Sequence, residues 1–321
     1  MKEALFVKQN KRRWLDAESR LDYIEMENPD DVADSYVDVT TDLSFARTHY
    51  PRSRTTQYLN SLAFALHSAI YRNKREKLSR IITFWTHEMP LAMYEARREL
   101  LFSLGMFIVM ALIGAVSTIG DADFPRVVLG DGYVEMTLRN IENGTPMAVY
   151  DQGGRMDSFI GITLNNVMVA FRCFAMGIFT TFGAAYFLMV NGIMVGAFQT
   201  FFYQHGLLYE SMLAIWLHGT LEIASIIVAG GAGTVLGNGW LFPGTYSRIE
   251  SFKRGAKRGL KIIIGTVPIF IFAAFIEGFM TRHTEAPNWL RLGFILTSLA
   301  FVLFYYVWLP RHRAQEATRT S

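Results

Sequence analysis

A single cysteine, Cys173, in 321 residues excludes an internal disulfide, so thiol chemistry gives no clue to redox compartment. A strong charge imbalance is also missing: 31 Lys and Arg against 28 Asp and Glu leave a formal +3. The basic clusters that exist stand beside apolar runs, where membrane topology accounts for them, so no nucleic-acid partner is expected. The opening MKEALFVKQNKRRW has neither an apolar h-region nor a small-residue cleavage site, so the first span is expected to act as the insertion signal. No P-loop, dinucleotide fingerprint, Ser/His/Asp set or pair of protease aspartates occurs, and neither an enzyme nor a cofactor is expected. His87-Glu88 opens like a zinc-protease motif, but position 91 is Leu, where the second ligand would stand.

What the sequence does hold is apolar length. Residues 1–80 read as a polar, cytoplasmic helical domain. Leu5, Trp14, Leu15, Leu21 and Ile24 fall at helical spacing, Asn28-Pro29 stops that helix, and a second runs from Asp30 to about Arg47. A third covers Ser53 to Ser79, with Leu59, Leu62, Ala63, Leu66, Ala69 and Ile70 inward. Its basic end, Arg72 to Arg80, suits a solvated helix terminus or an anionic headgroup layer. Residues 81–99 read as an amphipathic interfacial helix anchored by Phe84, Trp85 and Tyr94.

The transmembrane region spans 100–309, an all-α polytopic arrangement of about six segments: 100–119, 166–190, 193–203 (short or re-entrant), 213–236, 262–280 and 292–309. Asn191-Gly192 is the expected turn between the second and third. The 120–158 loop carries seven acids against three bases, as befits an extracytoplasmic segment, with a short helix over Tyr133 to Ile141. Arg97 and Arg98, the basic run Tyr246 to Lys261, and Arg311 to Arg313 in a 310–321 tail then place both termini in the cytoplasm.

The stretch from Leu213 to Leu236 organises the rest. It is long enough to cross a bilayer, yet carries His218 and Glu222 four positions apart on one helical face. Each ionisable group at that depth costs roughly 2.5–3.5 kcal/mol on the lenient insertion scale. With Arg172 and Glu277 they form the candidate intramembrane polar centre, supported by helix-break positions Asn165, Asn166, Asn191, Gly192, Gly219 and Gly278. Three readings stand open. Arg172 neutralises Glu222 or Glu277 and locks helices together; His218, Glu222 and Glu277 relay protons or ions; or the same three hold a metal ion, a reading carried by spacing alone.

Several segments together resemble one family. Asn165-Asn166, Asn191-Gly192, the His218-Gly219-x-x-Glu222 run with its glycine-rich tail, Pro243-Gly244 and Ala274-Phe275-Ile276-Glu277-Gly278-Phe279 are similar to the stage II sporulation protein M family. The resemblance implies a multi-pass protein of the bacterial inner membrane that acts as a scaffold or subunit of an envelope-remodelling complex. The alternative is a transporter or channel for ions, protons or a small solute. Implied partners are the lipid bilayer, envelope enzymes, an RDD-type membrane protein or a MoxR-type ATPase. Glycine-lined faces on the second and fourth spans suit a homodimer.

Overall fold

The computed structural model describes residues 2–22, 29–70, 79–148, 155–280 and 287–320. The chain divides into two compact units between Leu78 and Ser79, and all regular structure among the described residues is helical.

The first unit holds α1 (Glu3–Asp22), α2 (Pro29–His49) and α3 (Arg54–Ile70). Phe6, Trp14, Val39, Leu43, Leu59 and Leu66 form its core. Of the α1 residues expected at helical spacing, Trp14 is buried and Leu21 packs against the core, while Leu5 and Leu15 are half exposed and Phe6 is buried instead. Ile70, expected inward, is exposed as well. Asp42 fixes the α1–α2 register by accepting from Trp14 Nε1 at 2.8 Å and Arg13 at 2.6 Å. Tyr58 donates to Glu18 at 2.8 Å; burial, with that carboxylate beside it, pushes the phenol up to about 12. The expected stop at Asn28 and most of the basic Arg72–Arg80 run lie outside the described residues.

The second unit begins with α4 (Ser79–Thr83), a π-helical turn Phe84–Glu88 and α5 (Met89–Glu95). One face of this segment packs against the bundle. Met89, Ala92 and Met93 are buried against Val228, Ala232 and Ile262, and Trp85 donates to the Gly265 carbonyl at 3.2 Å. Ala96 (φ −91°, ψ 12°) breaks the helix before α6 (Arg97–Gly120). Next come α7 (Phe124–Leu129), α8 (Asp131–Glu142), α9 (Arg155–Ala175), a 3₁₀ turn Met176–Phe179 and α10 (Thr180–Gln204). After these follow α11 (Leu208–Leu241) and α12 (Arg248–Phe275), the latter ending in a π-helical turn Ile276–Met280. Finally α13 (Asn288–Leu303) passes through a π-helical turn Phe304–Trp308 into α14 (Leu309–Thr320).

Five stretches are long and apolar enough to cross a membrane: Arg97–Gly120, Phe159–Gln204, Leu208–Leu241, Arg248–Met280 and Asn288–Arg319. The second is two legs folded back on each other. Gly183 lies against the Met176 backbone, and Gly233 of α11 touches both Cys173 and Ala184. The reversal therefore falls at Met176–Thr180, not at Asn191-Gly192, which sits mid-helix in α10. Asn191 returns its side chain to the Phe187 carbonyl at 2.8 Å, so it does not turn the chain. A Cβ at Gly192 would meet Phe107 and Met110, and one at Gly196 would overlap the Ala111 carbonyl. This small-xxx-small pair is a close-approach face against α6.

Contacts fix the directions. Leu188 meets Gly230, Asn238 bonds Glu99 and Thr181, Gly255 meets Val235, and Tyr306 bonds Ser225. So α6, α10 and α12 run antiparallel to α11, while α9 and α13 run parallel to it. The six legs alternate in direction, with α11 at the centre, packed against the other five. Two regions expected as loop or tail are helical. The basic run after Tyr246 starts α12, capped where Ser247 Oγ accepts from Glu250 N at 3.3 Å, and residues 310–320 continue α13 as α14.

Candidate functional site

The centre of the bundle is set by α11. Its i, i+4 spacing places His218 and Glu222 on one face, toward the end that carries α7 and α8. Glu277 reaches them from the last turn of α12. That turn is π-helical, and the widened turn re-aims Glu277 toward α11. His218 Nε2 lies 3.8 Å from Glu277 Oε2. One ligand atom from each of His218, Glu222 and Glu277 can be chosen so that all three lie within 4.8 Å of one another. Below this cluster, Leu217, Leu221, Ile269, Ala273 and Ile276 close an apolar seam between α11 and α12.

From α9, Asn166 joins the cluster. It is only 6% exposed, and its amide is turned to the Glu222 carboxylate and interacts with it, although Nδ2 makes no close, well-aligned hydrogen bond among the described residues. Asn165, its neighbour, is exposed and donates to Asn166 Oδ1 at a long 3.4 Å. Gly278, buried beside Glu277, packs against Phe159 of α9. Gly219 is no helix break: it lies inside α11, where a Cβ would meet only the Ile215 and Ile223 side chains at 3.6 and 3.7 Å.

Arg172 does not belong to the centre. It lies exposed on α9, within one turn of its end at Ala175, and makes no ion pair to Glu222 or Glu277 among the described residues. At that position a long basic side chain is free to extend to the polar layer. The charge lock expected between Arg172 and either glutamate is therefore absent, and the two carboxylates have no Lys or Arg partner there.

A cavity of about 350 Å³ opens beside His218 and Glu222. Its walls are mainly apolar, with Phe107 from α6 and Met194 and Phe198 from α10, and Asn191, Gln199 and Trp216 add polar atoms. Trp216 Nε1 is buried without a partner. The roof comes from the segment between α6 and α9: Leu129 of α7 and Tyr133 of α8. Burial pushes the Tyr133 phenol up to about 12, so it stays a neutral donor at physiological pH. Nothing in its local sequence marked Tyr133 as a cavity residue. Trp216 was equally silent, whereas Gln199 stands out as a polar position in the apolar 193–203 segment; only the packing of α10 on α11 brings the two to one wall.

A family model described as Stage II sporulation protein M matches residues 103–282, more than half of the chain. The chain belongs to the stage II sporulation protein M family. The family match contains all three residues of the buried cluster, along with Asn166 and the cavity walls, and excludes α13. A second model, described as a domain of unknown function (DUF8413), matches residues 4–72, within the first unit. Comparison with curated proteins and with solved structures gives no match. The match, with the five apolar stretches, makes the chain a membrane protein of that family.

Proposed function

We propose that this family member is a membrane protein that takes a cation into the centre of its bundle and passes it across the bilayer. The observation that carries this reading is that Glu222, clustered with His218 and Glu277, lines a roofed cavity of about 350 Å³. An acidic pair with no Lys or Arg partner among the described residues favours positive charge, and ionisable groups gathered inside a membrane bundle are by default candidates for an ion path. Orientation follows the charge. Arg97, Arg98, the basic start of α12, Arg311 and Arg313 gather at one end of the bundle, the expected cytoplasmic face in a bacterial inner membrane. Asp121, Asp123, Asp131 and Glu135 sit at the other end, and α7 and α8 there act as an extracytoplasmic cover.

Reconstitution tests it. Vesicles holding the full chain should pass protons or a metal cation down an imposed gradient, and Glu222→Gln should cut the flux at least tenfold while the protein stays folded. Flux equal to that of empty vesicles across protons, Na⁺, K⁺ and divalent cations would overturn the reading.

A second reading, a subunit of an envelope-remodelling complex, is favoured by the separate three-helix unit of residues 1–78, which has its own core and its own family match. Cross-linking in native membranes followed by mass spectrometry should recover an envelope enzyme or a membrane-associated ATPase; recovery of this chain alone would count against it.

A further inference from the structure

The site has the chemistry of a metal centre. An imidazole and two carboxylates come from two helices, with ligand atoms within 4.8 Å of one another. Ligand atoms on one tetrahedral zinc stand about 3.3 Å apart, given bonds of about 2.0 Å to nitrogen and oxygen. His218 Nε2 and Glu277 Oε2, at 3.8 Å, need to close by only about half an ångström. Two carboxylates in a water-poor interior, with no Lys or Arg beside them among the described residues, are stabilised by a counter-charge, and one divalent ion supplies it. An independent observation points the same way. Asn166, 6% exposed, turns its amide to Glu222 from a third helix, and its buried Nδ2 makes no close, well-aligned hydrogen bond among the described residues, where such groups are nearly always satisfied. A half-turn of that amide presents Oδ1 as a fourth ligand.

We propose that His218, Glu222, Glu277 and Asn166 form a binding site for a divalent transition metal ion of the zinc type. Mixed nitrogen and oxygen donors suit Zn²⁺, Mn²⁺ or Fe²⁺, and a single imidazole with no thiolate disfavours copper(I). Cys173 is buried against α10 near the opposite end and takes no part. The π-helical turn at Ile276–Met280 holds Glu277 in reach, and the cavity beside Glu222 gives the ion a way in.

The proposal shares its residues with the cation-transport reading but fails separately from it. Tag-free full-length protein, loaded with ZnCl₂ and desalted, should retain about one zinc per chain by elemental analysis. His218→Gln and Glu277→Gln should each weaken retention at least tenfold, and Asn166→Asp should strengthen it. Cobalt(II) loaded in place of zinc should give a visible absorption band of a tetrahedral nitrogen and oxygen site, lost in His218→Gln. If a variant does not fold, the cobalt band and a zinc-dependent rise in the wild-type melting temperature still decide the matter. Wild-type protein that keeps no zinc and shows no cobalt band overturns the site. Zinc bound without any flux sinks transport alone, and proton flux by zinc-free protein that never retains metal sinks the metal site alone.

Discussion

Gly196 and Gly219 both lie on helices of the central bundle, yet the space around them differs completely. Gly196 faces the Ala111 carbonyl of α6, so any side chain forces the two helices apart. Gly196→Leu should destabilise by about 1–3 kcal/mol, the usual cost of overpacking, read as a lower melting temperature in detergent. Gly219 faces the cavity, and only the Ile215 Cγ2 and Ile223 Cδ1 methyls are near, at ordinary van der Waals distance. Gly219→Leu should therefore leave the fold intact while filling the cavity, cutting cation flux several-fold with little change in melting temperature. At the other end of the bundle Glu88 accepts from Lys261 Nζ at 2.6 Å, and that hydrogen bond holds the Glu88 carboxyl below the usual carboxylate range. The sign is that of an acid with a depressed pKa: the tie contributes fully above the ordinary carboxylate range and is lost as pH falls through the lower folded value. Both side chains are about one-third exposed, so the effect is small. Glu88→Gln should flatten the decline in melting temperature below about pH 4.5, measured at low salt.

At the scale of elements, the reversal between α9 and α10 is where local signals and folded packing disagree most. Asn191-Gly192 carries the dipeptide that favours turns, and it became helix because α6 needs a side-chain-free face there. The real turn, Met176–Phe179, has one glycine and no proline or asparagine. It ends on Thr180 with φ 69° and ψ −179°, a region that β-branched residues rarely enter. Packing holds it: Gly237 of α11 lies against Thr180 and Thr181, and Thr181 donates to Asn238 at 2.9 Å. Thr180→Gly should relieve that strain and raise stability by about 1 kcal/mol, seen as a higher unfolding midpoint. A fall in the midpoint would mean that the Thr180 side chain contributes more than its backbone costs. The π-helical end of α12 was equally hidden, since Ile276 to Met280 continues the apolar pattern of the helix before it.

For the whole molecule, the alternation of six legs makes a topological prediction with a direct assay. Cys173 is fully buried, so single cysteines introduced elsewhere can be read against a silent background. A cysteine at Lys253 should react with a membrane-impermeant thiol reagent only from the cytoplasmic side, and one at Asn143 only from the outside. The reverse pattern would invert the proposed path through the bundle. The glycines of α10 and α11 expected to serve a dimer are already engaged within one chain: Gly230 meets Leu188, Gly231 meets Leu100 and Gly233 meets Cys173. A homodimer therefore has to form on another face, and cross-linking from the exposed side of α13 is the place to look.

The order of residues alone marks this as a helical membrane protein, puts its basic segments at one end, and sets His218 and Glu222 on one face. Those properties follow from hydropathy, charge and helical period, all of which act over a few neighbouring residues. It also brought Glu277 forward, because an acid in an apolar run is costly wherever that run ends up. That Glu277 reaches α11, that Arg172 stays away, that Asn166 enters in its place, and that Tyr133 roofs the cavity all come from the packing of the folded chain. Each of these depends on which leg lies beside which. That is set by close approach between helices distant in sequence, and no local pattern encodes it.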